Sequence, residues 1–135
     1  MKTKIGLVVS DFNHEITSVM EKYAEKTASS LGAEIIKKIH VPGAFEIPFA
    51  ADKILKNKKA DAIVVLGVIA EGETQHDLII GNAISSKLID MSLKSNIPIG
   101  FGVIGPRVTL NQAKERAKEY AERAVEAALY MAKIK

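Results

Sequence analysis

Cysteine and tryptophan do not occur in the 135 residues, and aromatic residues of all kinds make up only 5%. Without cysteine there can be no disulfide, no thiolate metal site and no cysteine nucleophile, and the chain fits a reducing compartment. The scarcity of aromatics leaves the core to Val, Ile, Leu and Ala. Charge of one sign is also missing. Nineteen Lys and Arg stand against sixteen Asp and Glu, a net +3, with the bases and acids interspersed. No basic stripe marks a nucleic-acid partner. The apolar run in MKTKIGLVVSDFN is too short for a signal peptide or a membrane span, and no later run reaches span length. The expectation is a cytoplasmic protein with neither membrane nor nucleic acid as partner. Several motifs are absent as well: GxxxxGK[ST], a GxGxxG after the first strand, HExxH and GxSxG. Phosphate-loop nucleotide binding, a helical zinc site and a serine elbow are therefore unsupported, and no cofactor or metal is expected.

What is present is a regular alternation. KIGLVVS (4–10) is a β-branched strand. Residues 11–32 carry Ile16, Met20, Tyr23, Ala24, Ala28 and Leu31 at the helical period, with Asn13 as N-cap and Gly32 just past the end. EIIKKIHV (34–41) alternates loosely, as an edge strand does. Residues 42–57 are a turn and a helix, with Pro48 in the first turn. DAIVVLGVI (61–69) is near-continuously apolar, which predicts a strand buried on both faces of a parallel sheet. A helix follows from about 75 to 95 and a strand over 97–105. The last helix is opened by Thr109 with Gln112 three positions on, a capping box. Its alanine stripe, Ala113, Ala117, Ala121, Ala124 and Ala128, permits close packing, either on its own sheet or at an interface. The order βαβαβαβα predicts one domain over 1–135. Its fold class is α/β, a three-layer α/β/α arrangement on a four-stranded parallel sheet in the flavodoxin-like order 2-1-3-4.

Ligands of such sheets bind outside the carboxyl ends of the strands. The segments expected there are SDFNHE, VPGAFEIP, GVIAEGETQHD and GVIGPRVT. They hold Phe12, Phe45, Glu46 and His76, with Phe101 close by in the last strand. Phenylalanine at strand-to-helix joints suits a flat, partly polar ligand. In GETQHD, Thr74 and Asp77 have capping spacing, and the free N–H groups of a helix start attract an anion such as phosphate. A histidine in that field tends to be neutral and ready to accept a proton. Taken singly, each feature has an ordinary explanation: a cap, a turn, a surface histidine, a first-turn acid at Glu46 or a solvated charge at Arg116. His14 and His40 read as solvated or locally bonded.

SDFN, GAFEIP, G-E-T-x-H, IGFGV and QAKER, in that order, resemble the motifs of the lumazine synthase family over essentially the whole chain. The resemblance implies a transferase of riboflavin biosynthesis. It would condense 5-amino-6-(D-ribitylamino)uracil with 3,4-dihydroxy-2-butanone 4-phosphate into 6,7-dimethyl-8-ribityllumazine, releasing phosphate and water, without cofactor or metal. It implies Phe12 stacked on the pyrimidine. Ala44, Phe45 and Glu46 would line the pocket, with Glu46 accepting ribityl hydroxyls. Val68, Ile69 and Ala70 would meet the pyrimidine edge through their backbone. Glu73 and Thr74 would hold the phosphate with Arg116, and His76 would transfer protons. Phe101 and Arg116 would come from a neighbouring subunit, since the family forms pentamers and in some members shells of twelve pentamers. Three departures stand out. Glu71 occupies a position that is often basic, a late lysine of the last helix has no counterpart, and the family's extra N-terminal strand is expected to be missing. The rival readings are the related archaeal riboflavin synthase, a non-catalytic flavin-binding or shell-forming protein, and a receiver-like signalling domain. The last is set aside because Asp11 is a single acid and Gly67 stands near the end of the third strand, where such a domain needs an aspartate. The intact GAFEIP and GETQH argue against the riboflavin synthase.

Overall fold

The computed structural model describes residues 2–72 and 76–134. Strand β1 (Thr3–Ser10) leads into helix α1 (His14–Ser30), then β2 (Ala33–Val41). A 3-10 turn over Ala44–Glu46 feeds α2 (Ile47–Asn57). Strand β3 (Ala62–Ala70), α3 (His76–Ser95), β4 (Ile99–Val108) and α4 (Leu110–Ala132) complete the chain. All strand pairs are parallel, and the sheet order is β2-β1-β3-β4, as the alternation predicts. Helices cover both faces. One apolar layer joins Leu7, Met20, Leu66 and Ile104 to the inner faces of α1 and α4. The other joins Val8, Ile47, Ile63 and Val65 to α2 and α3. The apolar run of β3 has its explanation here: every residue from Ala62 to Ile69 is buried.

Of the expected caps, that of α4 is present as read and that of α1 is altered. Thr109 Oγ1 accepts the Gln112 N–H at 3.1 Å, and Gln112 Oε1 accepts the Thr109 N–H at 2.9 Å, a complete capping box. Asn13 sits at the N-cap of α1 but caps with its carbonyl, which accepts from the Ile16 and Thr17 N–H groups. Its side chain makes no cap bond, because a φ of 65° turns the backbone left-handed. The cap assigned to Thr74 lies outside the described residues.

The alanine stripe of α4 packs on its own sheet, and all five alanines are buried. The approach is close because β4 offers glycine opposite it. A Cβ on Gly100 would run into the Ala124 carbonyl, and one on Gly102 would meet Leu66 Cδ2 at 2.7 Å. Strand β4 also runs on to Val108, beyond the expected end at 105. Pro106, which reads as a turn signal, is tolerated because β4 is an edge strand and a missing N–H there breaks no inner ladder.

Candidate active site

The strand order reverses between β1 and β3, and a cleft of about 740 Å³ opens at their carboxyl ends, a usual size for a small-molecule site. Five segments build it. After β1 comes Phe12 with Asn13, and after β2 come Gly43 to Glu46. The end of β3 supplies Val68 to Gly72, the first turns of α3 supply His76, Asp77 and Ile80, and the start of α4 supplies Thr109 to Asn111.

Backbone bonds draw these segments together. The Asp11 N–H donates to the Val41 carbonyl at 2.7 Å and the Phe12 N–H to the Pro42 carbonyl at 2.9 Å, so the first two joints are neighbours. The Glu71 N–H donates to the Val108 carbonyl at 2.9 Å, which brings the end of β3 beside the start of α4. Phe12 is 68% exposed and Phe45 65%, two apolar rings left open at one cleft. Such paired exposure marks a binding surface rather than a core. Glu46 Oε1 accepts the Gly43 N–H at 2.9 Å, which orients the carboxylate at the cleft.

Helix α3 is docked onto the end of β4, and this fixes its first turn. Gly81 lets Pro106 approach, since a Cβ there would lie 2.8 Å from Pro106 Cδ. Asp77, only 3% exposed, accepts the Arg107 N–H on Oδ2 at 2.9 Å. The Arg107 Nε is 3.9 Å from the same oxygen. Oδ1 of Asp77 is buried with no partner among the described residues. Asp77 thus bonds through Oδ2 to a residue thirty positions away, and its capping partner Thr74 lies outside the described residues. His76, beside it, is exposed and borders the cleft. Among the described residues, no three His, Asp or Glu side chains gather as a metal ion would require.

Residues 2–135 match the family model described as 6,7-dimethyl-8-ribityllumazine synthase. The chain belongs to this family. Relatives bearing that name include one from Metallosphaera sedula, 44% identical over 130 residues, covering 96% of this chain and 86% of the relative. One from Methanocaldococcus jannaschii is 43% identical over 133 residues, covering 98% and 94%. One from Archaeoglobus fulgidus is 43% identical over 132 residues, covering 98% and 92%. As a lumazine synthase family member the chain is an enzyme of the transferase class.

Of the positions that the lumazine synthase resemblance singles out, Phe12, Ala44, Phe45, Glu46, Val68, Ile69, Ala70 and His76 all border the one cleft. Glu73 and Thr74 lie outside the described residues. Phe101 and Arg116 are not brought to the cleft of their own chain. Phe101 sits 41% exposed on edge strand β4, bordering Tyr120 and Arg123 on one side and Leu88 and Ile89 on the other. Arg116 is on the exposed face of α4. Sequence reasoning left Asn111 and Leu110 out of the site. Its one available signal was the Thr109 cap, which places the start of α4 at the carboxyl end of the sheet.

Proposed function

We propose that the chain condenses 5-amino-6-(D-ribitylamino)uracil with 3,4-dihydroxy-2-butanone 4-phosphate to give 6,7-dimethyl-8-ribityllumazine, the penultimate step of riboflavin biosynthesis. The observation that carries this reading is the convergence of eight family-implied residues, from four separate segments, on one cleft at the β1/β3 switch point. The amine attacks the ketone and forms an imine with loss of water. Enolisation expels phosphate, and the second amine closes the ring with loss of water. Phe12 stacks on the pyrimidine, Glu46 accepts the ribityl hydroxyls, and the backbone of Val68 to Ala70 reads the pyrimidine edge. His76 moves protons beside the phosphate, which Glu73, Thr74 and a neighbour's Arg116 hold. Much of the acceleration comes from holding two reactants in register, since imine formation is intrinsically easy.

Phe101 and Arg116 complete the site from an adjacent subunit in this reading, so the working form is a homo-oligomer, at least a pentamer. The test is a turnover assay with both substrates, following the absorbance of the lumazine product. Product formed faster than the uncatalysed background supports the proposal. No acceleration, with lumazine or flavin still bound, sinks it in favour of a binding protein. His76→Ala is expected to slow turnover about 10-fold to 100-fold, at or below the low end for a lost proton-transfer group, with pyrimidine affinity retained. Arg116→Ala is expected to raise KM for the phosphate substrate far more than for the pyrimidine.

A further inference from the structure

The Phe12 segment is tied to β2 by a side-chain link as well as by backbone bonds. Asp11 Oδ1 lies 2.9 Å from Nδ1 of His40, and Oε2 of Glu21 lies 3.1 Å from its Nε2. The same Glu21 oxygen is 2.9 Å from Lys38 Nζ, which bonds Glu25 Oε2 at 2.7 Å. Among the described residues these are the charged groups that the contacts place around His40. Asp11 comes from the β1–α1 joint, Glu21 and Glu25 from α1, and Lys38 from β2 itself. A neutral imidazole has one N–H and would turn a lone pair toward one of the two carboxylates, whereas imidazolium donates to both. The link matters locally because the entry to α1 has no side-chain cap. Residues 11–12 are therefore held by their two backbone bonds to β2's end and by His40.

We infer that His40 is a positioning residue: as a cation bridging Asp11 and Glu21 it fixes the Asp11–Phe12 segment, so the Phe12 ring is set for its ligand only while His40 is charged. This rests on the proposed stacking of Phe12 on the pyrimidine. The bond to Asp11 raises the His40 pKa, burial lowers it and the bond to Glu21 raises it again. The net value stands above that of ordinary imidazole. The cationic form thus persists further toward neutral pH, and the link is lost as pH rises through the raised value.

The side chains of His40 and Asp11 are 39% and 48% exposed, so screening by solvent keeps the effect to about three-fold in pyrimidine affinity. The test compares wild type with His40→Gln and Asp11→Asn across neutral pH. Wild type is expected to lose about three-fold in KM for the pyrimidine as His40 deprotonates. Both variants should show the weaker value throughout, with kcat and the KM for the phosphate substrate close to wild type. Variants that keep the wild-type affinity and profile, or that raise both KM values alike, overturn the inference. A second readout needs no turnover: the NMR signal of ¹³C-labelled Phe12 in ligand-free protein. It should follow the His40 titration in wild type and stay flat in His40→Gln. If it does not follow that titration, the inference fails whatever the enzyme does. If wild type makes no lumazine while Phe12 still follows His40, the proposed reaction fails and the positioning role stands.

Discussion

Asp77 is a carboxylate almost wholly removed from water, and its surroundings make that tolerable. It lies in the first turn of a helix, where the backbone field favours negative charge, and it accepts the backbone N–H of Arg107. Removing it leaves that N–H without its acceptor. Asp77→Ala is therefore expected to destabilise the fold by about 1–3 kcal/mol, seen as a lower urea midpoint. Asp77→Asn keeps an acceptor oxygen and should lose less. Equal loss in the two variants would count against the hydrogen bond as the cause. Around His40 the prediction concerns pH. His40 has a raised pKa, so its contribution to stability is whole below the ordinary imidazole value and lost as pH rises through the raised one. Burial works against ionisation of Glu21, but Lys38 and His40 more than offset it and leave its pKa lowered. Its contribution is whole above the ordinary carboxylate value and lost as pH falls through the lowered one. The melting temperatures of wild type and His40→Gln should therefore differ in mildly acid solution and converge in alkaline solution. A constant difference would rule out the charge as its origin.

Among the elements, the contact of α4 with β4 leaves no room for an added methyl group at Gly100. Gly100→Ala places a methyl group against the Ala124 carbonyl, which is backbone and cannot rotate away. The helix must lift, at a cost of about 1–3 kcal/mol typical of overpacking, measurable by chemical denaturation. Gly32→Ala meets no atom within 4 Å but holds a φ of 78°, so its loss would come from backbone strain alone. At this scale much was legible beforehand. The periods of 2 and 3.6, the Thr109–Gln112 box and Gly32 are local signals, and local signals survive folding. The end of β4 was not legible, because Pro106 is a turn signal unless one knows that its strand lies at an edge. The ambiguity of the alanine stripe had a similar origin: only the glycines opposite it in β4, brought there by the fold, decide what it packs against. The bond between Asp77 and Arg107 was not legible for the same reason, since Arg107 is near in space and distant in sequence.

For the whole molecule, the candidate site is assembled from segments at one end of the sheet, and strand-end position together with motif order points to eight residues that border it. Phe101 and Arg116 lie away from that cleft, so the roles proposed for them depend on a second copy of the chain. If the proposed sharing holds, turnover per chain should fall on dilution in step with dissociation followed by sedimentation velocity. Turnover that persists in the dissociated chain would refute it. The buried course of β3 from Ala62 to Ile69 carries a different consequence, about time. Amide protons on a strand covered on both faces exchange with deuterium only when the molecule opens as a whole. Those on the exposed joints at Asp11–Phe12 and Glu71–Gly72 are released by small local openings. A bound ligand is then expected to slow exchange most at those joints. Val64 and Val65 should change only as much as global stability does, so the molecule would record ligand binding at its rim and its own lifetime in its central strand.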